Sequence, residues 1–400
     1  MKRREFIAAA AILSFFAPEA WAARKKAAAA RRAAKKAKAG KGKKPSGPVA
    51  HTAEAPVTDR PPMGTSASRL PPVKAPEPPA EWASYEITTT IQLPKSDKRT
   101  RLWLPLPLNQ DTLYQRTIGH QWQDNADSAS LRRLPDGDLE SYYCEWNAGA
   151  TPRLTLTTLV TTADRHFDIA KRTVAPERED ILRRNLQAST QIPNDGLAHS
   201  LGERIVGRIK DPVAQAKAVY DWVVDNTTYS PELPNGGSGD IRKQIESGQY
   251  GGRSADINGL FVAICRAIGI PARRVYGLRV GPSRLFRSLG IAGEDASQAQ
   301  HSRAEFYIPG YGWIPVDPSD VRRAIATEGL SDRDAKLTAL KKILFGVWEM
   351  NWVAYNVGND LTLPQASSRL PFFVLPRLEV GDNGEAATLP FTIRARRVEI

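Results

Sequence analysis

Three side chains in this 400-residue chain, Ser254, His301 and Asp317, have the types and surroundings that nucleophilic acyl chemistry uses. A hydroxyl attacks a carbonyl only when a base takes its proton, and imidazole serves as that base when a carboxylate fixes its tautomer. Ser254 follows Gly251 and Gly252 and stands where an apolar helical rhythm begins. Unpaired backbone N–H groups and the positive end of a helix dipole there would suit a developing oxyanion. The same position suits a plain helix cap, since serine is a preferred capping residue, and His301 alone reads as a surface histidine.

The elements that must position these groups are legible around them. Ile257, Leu260, Phe261, Ile264 and Ile268 keep the spacing of a buried helix that starts just after Ser254, and Gly269 and Pro271 end it. Tyr276, Leu278 and Val280 then alternate as a strand. The stretch AQHSRAEFYIPGYGWIPVDPSD reads as a β-hairpin, with Ser302, Ala304, Phe306 and Ile308 on one face and His301, Arg303, Glu305 and Tyr307 on the other. With the loop centred on Pro309, Tyr307 faces Tyr311 and His301 faces Asp317, close enough for a carboxylate to accept from imidazole. A slip of one residue would send the pair to opposite faces. Upstream, Asp211 and Pro212 start a helix whose Val219, Tyr220, Val223 and Val224 share a face.

The order of a nucleophile position at a helix start, then His and Asp on successive strands, with GIPAR after the helix and GYGWIPVDPSD after the histidine, resembles the transglutaminase-like superfamily. Its exported bacterial branch is the nearest likeness, close over residues 250–320 and looser over 81–400. The resemblance implies a papain-like core in which Ser254 stands at the place of a nucleophilic cysteine, His301 is its base and Asp317 orients the base. It also implies a peptide or other amide-bearing ligand. No cofactor or metal is expected.

Serine at that place changes the chemistry. A cysteine there would be partly thiolate, helped by the helix N-terminus and a neighbouring imidazolium. Serine has no such form near neutral pH and needs a close hydrogen bond to His301. The expected function is therefore a catalytically impaired or silent amide-binding domain of the cell envelope. The alternatives are an active acyl hydrolase or transferase using Ser254, His301 and Asp317, and an envelope tether acting through a basic tail.

That tail lies near the N-terminus. Residues 1–22 carry Arg3 and Arg4, an apolar run from Ala8 to Ala17 and the small-residue pattern Ala20-Trp21-Ala22, as in a cleaved signal peptide of twin-arginine or general secretory type. A periplasmic or secreted location follows. The apolar run is too short to span a bilayer, which takes about 20 residues. Residues 1–45 hold fourteen Lys and Arg against Glu5 and Glu19, which accounts for all but one of the chain's net charge of +13. Nucleic acid is excluded as a partner on this ground, because the charge lies in the tail and not on a folded surface. Residues 23–44 instead suit an anionic envelope surface, and the segment to residue 80 is a Pro-rich spacer without a core.

The expected fold is α+β: a β-sandwich over 81–170, then the transglutaminase-like core over 171–330, with residues 331–400 adding a helix and strands. Tyr85, Ile87, Thr89, Ile91 and Leu93 alternate as a strand, and Leu102–Leu108 forms another that Pro105 and Pro107 confine to an edge or to its end. His120 and His166 are isolated. Ser331 and Asp334 have capping spacing ahead of Leu337, Leu340 and Leu344, and Trp348, Trp352 and Tyr355 read as packing residues. Cys144 and Cys265 are too few for a disulfide scaffold, and whether they pair is not written in the sequence.

Overall fold

The computed structural model describes residues 79, 81–134, 137–167, 175–234, 236–387 and 389–399. Residues 1–78 and 80, where the sequence leads one to expect a signal peptide, a basic tail and a Pro-rich spacer, lie outside the described residues. No helix among those described is long and apolar enough to cross a membrane.

The first strands build two facing sheets. Strand β1 (Ala83–Gln92) buries alternate residues, including Tyr85, Ile87, Thr89 and Ile91, as its period-2 pattern predicts. β2 (Thr100–Pro105), β3 (Gln115–Asp124), β4 (Ser128–Leu134), β5 (Leu139–Trp146) and β6 (Arg153–Thr162) follow, then the short β7 (Arg165–His166). β2 is hydrogen-bonded on both sides and ends at Pro105, so the prolines stop it without placing it at an edge. Ile91, Leu154 and Leu156 of one sheet meet Leu102, Tyr142, Cys144 and Trp146 of the other in a shared core.

The helical part comes next: α1 (Glu179–Arg184), α2 (Gly196–Val206), α3 (Pro212–Asn226), β8 (Thr228–Tyr229), α4 (Ile241–Ser247), β9 (Gly251–Gly252) and α5 (Ser254–Ala267). The Asp211 carboxylate accepts from the Ala214 N–H at 2.7 Å and caps α3, with Pro212 at its first position. All fourteen residues of α5 are buried, and Gly269 in the left-handed region (φ 85°) turns the chain after it. The helix lies against an antiparallel sheet of β10 (Ala272–Arg279), β11 (Gln300–Ile308) and β12 (Gly312–Val316), with Phe261 packed edge-on against Phe306.

After β12 come α6 (Pro318–Glu328), α7 (Ala335–Ile343), β13 (Val347–Trp348) and β14 (Trp352–Asn356), which pairs with β10 on the far side of that sheet. β15 (Arg377–Val380), β16 (Glu385–Ala387) and β17 (Phe391–Val398) return to the first two sheets, giving the orders β17-β1-β6-β3 and β16-β15-β2-β5-β4. The two ends of the folded chain are thus held by ladder hydrogen bonds in a common sheet. Cys144 and Cys265 are free thiols buried in different cores. Trp348, Trp352 and Tyr355 are buried packing residues.

Candidate active site

Ser254 is the first residue of α5, and Arg253 occupies the cap position. The cap is not made by serine, as its local sequence suggested, but by Asp256, whose carboxylate accepts the Arg253 N–H at 2.9 Å and the Gly239 N–H at 2.8 Å. Gly237 (φ 104°) and Gly252 (φ 125°) leave room for it, since a Cβ on either would collide with that carboxylate. The expected free amides are mostly taken: Ala255 N–H donates to Gly236 O at 2.8 Å, and Asp256 and Ile257 N–H donate to Arg253 O.

The hairpin keeps its two faces but shifts its register. Tyr307 faces Trp313, not Tyr311, and the last ladder pair is Ala304 with Val316. The turn centres on Gly310 (φ 80°), one residue later than Pro309, which moves every partner by two and leaves the parity intact. Asp317 is therefore not on a strand. It caps α6, accepting the Asp320 N–H at 3.1 Å. From there its Oδ2 lies 2.8 Å from His301 Nε2. A carboxylate only accepts, so the ring proton sits on Nε2 and the lone pair on Nδ1.

Ser254 comes to the same strand but meets the backbone: its Oγ accepts the Ser302 N–H at 3.1 Å, one residue along from His301. Among the described residues, no hydrogen bond joins Ser254 to His301. Both are only 4% exposed.

Four further groups complete the site. Asn258, one turn after Ser254 on α5, donates to Ser302 O at 2.7 Å and to Asp317 Oδ1 at 3.1 Å, tying helix, strand and cap together. Asp320 Oδ1 is 3.6 Å from His301 Nε2 and accepts from Arg279 at 2.5 Å, while Arg303 Nε lies 3.6 Å from Asp317. The spacing of Asn258 from Ser254 and of Asp320 from Asp317, one helical turn each, was a signal available in the sequence. The two arginines had none beyond the strand alternation. Burial, then the Arg279 guanidinium, with Arg303 adding to them and Asp320 opposing, holds His301 well below the usual imidazole range. This favours the neutral ring, with its lone pair on Nδ1. His301, Asp317 and Asp320 could converge on one point. Arg279 and Arg303 already oppose the two carboxylates there, a donor set that does not suit a cation.

The sequence model of the Transglutaminase-like superfamily matches residues 199–318, from within α2 to the first residue of α6. The chain belongs to that superfamily. An uncharacterized protein of Haemophilus influenzae is 33% identical over 319 residues, covering 74% of this chain and 86% of that protein. Among solved structures, one described as a candidate cysteine protease from Cytophaga hutchinsonii superposes with a TM-score of 0.53 at 17% identity, over 80% of this chain and 92% of that one, and so has the same fold. The periplasmic domain of TgpA from Pseudomonas aeruginosa is also matched, with a TM-score of 0.31 at 18% identity, over 59% of this chain and 89% of that domain.

Proposed function

We propose that this is an exported transglutaminase-like domain that binds an amide-bearing peptide ligand without turning it over. One observation carries the reading: the Ser254 hydroxyl is engaged by the Ser302 N–H and has no hydrogen bond to His301. A serine that is not hydrogen-bonded to its base attacks slowly, and a thousandfold loss corresponds to only about 4 kcal/mol of barrier. The signal-like residues 1–22 support export to the periplasm or beyond.

A second reading, a working serine acyl hydrolase or transferase, is favoured by the neutral imidazole held on Asp317 at 2.8 Å. A serine-directed fluorophosphonate probe separates the two. The binding-domain reading expects no labelling of the native protein, together with a reactive thiol in Ser254→Cys that iodoacetamide alkylates below the usual thiol pKa of about 8.5. Labelling of native Ser254 that is lost in His301→Ala would establish the enzyme instead.

A further inference from the structure

Two arginines in the region of Ser254, Arg253 and Arg323, have no counter-charge among the described residues. Arg253 is the residue before Ser254, and its Nη1 donates to the Leu233 carbonyl at 2.7 Å. Arg323 lies on α6, three residues after Asp320, which itself reaches to 3.6 Å from His301. Side chains three apart on a helix share a face, so Arg323 follows Asp320 toward the same region. Its guanidinium is 5.8 Å from the Tyr229 ring, and Tyr229 pairs with Gly252, two residues before Ser254. Among the described residues neither arginine has a carboxylate within 4 Å, and the Arg323 Nε is buried with no hydrogen-bond partner.

The acids nearby are committed elsewhere. Asp320 accepts from Arg279, and Asp317 is shared by His301, Asn258, Ser319 and Arg303. Arg279, Arg303 and Arg323 thus all act on His301 and its two carboxylates, while Arg253 reaches only to Arg323. Arg253 and Arg279 repel Arg323, and Asp320 attracts it without bonding it. A partly desolvated guanidinium with free donors is costly to keep and is well matched to an oxyanion, which its planar fork grips through paired hydrogen bonds.

We infer that Arg253 and Arg323 form a carboxylate-binding subsite beside Ser254, so that the preferred ligand is a peptide carrying a carboxylate next to the amide presented to Ser254. This rests on reading the Ser254 site as a ligand site. It adds which ligand: an acidic peptide or one ending there in a free carboxyl group.

The test uses the full chain with Ser254→Cys and compares alkylation by iodoacetate, which carries the carboxylate, with alkylation by neutral iodoacetamide. A local positive potential should raise the iodoacetate-to-iodoacetamide rate ratio roughly tenfold above that of free cysteine. Arg323→Gln and Arg253→Gln should each lower the ratio toward the free-cysteine value, whereas Arg323→Lys should retain most of it; a circular dichroism melt checks that each variant is folded. A ratio equal to that of free cysteine, or one that the Gln variants leave unchanged, overturns the subsite. So does a thiol that reacts with neither reagent, because no ligand would then reach the arginines from Ser254. Fluorophosphonate labelling of the native serine would overturn the silent-domain reading while leaving the ratio, and with it the subsite, intact.

Discussion

Strand β11 carries two buried ionic clusters on one face, and they are finished differently. At one end Glu305, 1% exposed, takes Arg165 and Arg273 at 2.5 Å each. Arg165 lies 4.7 Å from both the Tyr114 and Trp348 rings and donates to Trp313 O, and Arg273 stacks 4.0 Å over Trp313. Burial alone would raise the Glu305 carboxyl, but Arg273 and Arg165 outweigh it and hold it below the usual range. Every charge there has a partner. Four residues away, His301 stands among Asp317, Asp320, Arg279 and Arg303, yet Arg253 and Arg323 remain without an acid. A saturated cluster can only hold the sheet together, whereas an unsaturated one retains capacity for a ligand.

The sharpest way to break this contrast is Glu305→Ala. Removing one partner from a buried group leaves the others uncompensated, here two guanidiniums, and should cost about 3–5 kcal/mol in urea unfolding. A loss below about 1 kcal/mol would show that the cluster is not the structural one.

The His301 cluster should reveal itself through pH. Its pKa is lowered in the fold, so the unfolded chain binds the extra proton first as pH falls below about 6.5. Stability is then fully present above that value and declines as pH drops toward the folded pKa, by up to about 1.4 kcal/mol per pH unit. Burial sets this behaviour, the charges of Arg279, Arg303 and Arg323 add to it and Asp320 opposes it, while Asp317 accepts from the ring. Unfolding free energies measured from pH 7.5 to 4.5 should fall less steeply in His301→Gln than in the native protein, and parallel curves would refute the buried neutral imidazole.

The smallest effect is expected at Ser254 itself. Ser254→Ala removes the acceptor of the Ser302 N–H, a loss of about 1 kcal/mol. A markedly larger loss would mean that the hydroxyl has a structural role that the single hydrogen bond does not express.

Much of the scaffold was legible because its signals are local. The alternation of β1, the apolar rhythm of α5 and the Asp211-Pro212 start of α3 are each written within a few neighbouring residues. The hairpin faces survived a register error because a turn centred one residue later shifts partners by two. The cap at Asp317 has an equally local signal, since Asp317-Pro318 repeats the Asp211-Pro212 pattern. For Arg279 and Asp320, 41 residues apart, the sequence contained no comparable signal.

The sequence by itself determined the family of folds, the helix that opens at Ser254 and the chemical identities of Ser254, His301 and Asp317. Periodicity, caps and residue type require only short stretches of chain. Which atom the Ser254 hydroxyl meets, and which arginines go without a carboxylate, were decided by tertiary structure alone. These depend on how α5, α6 and β11 pack, and a hydrogen bond is made or lost over a few tenths of an ångström. No local pattern specifies distances between elements to that tolerance.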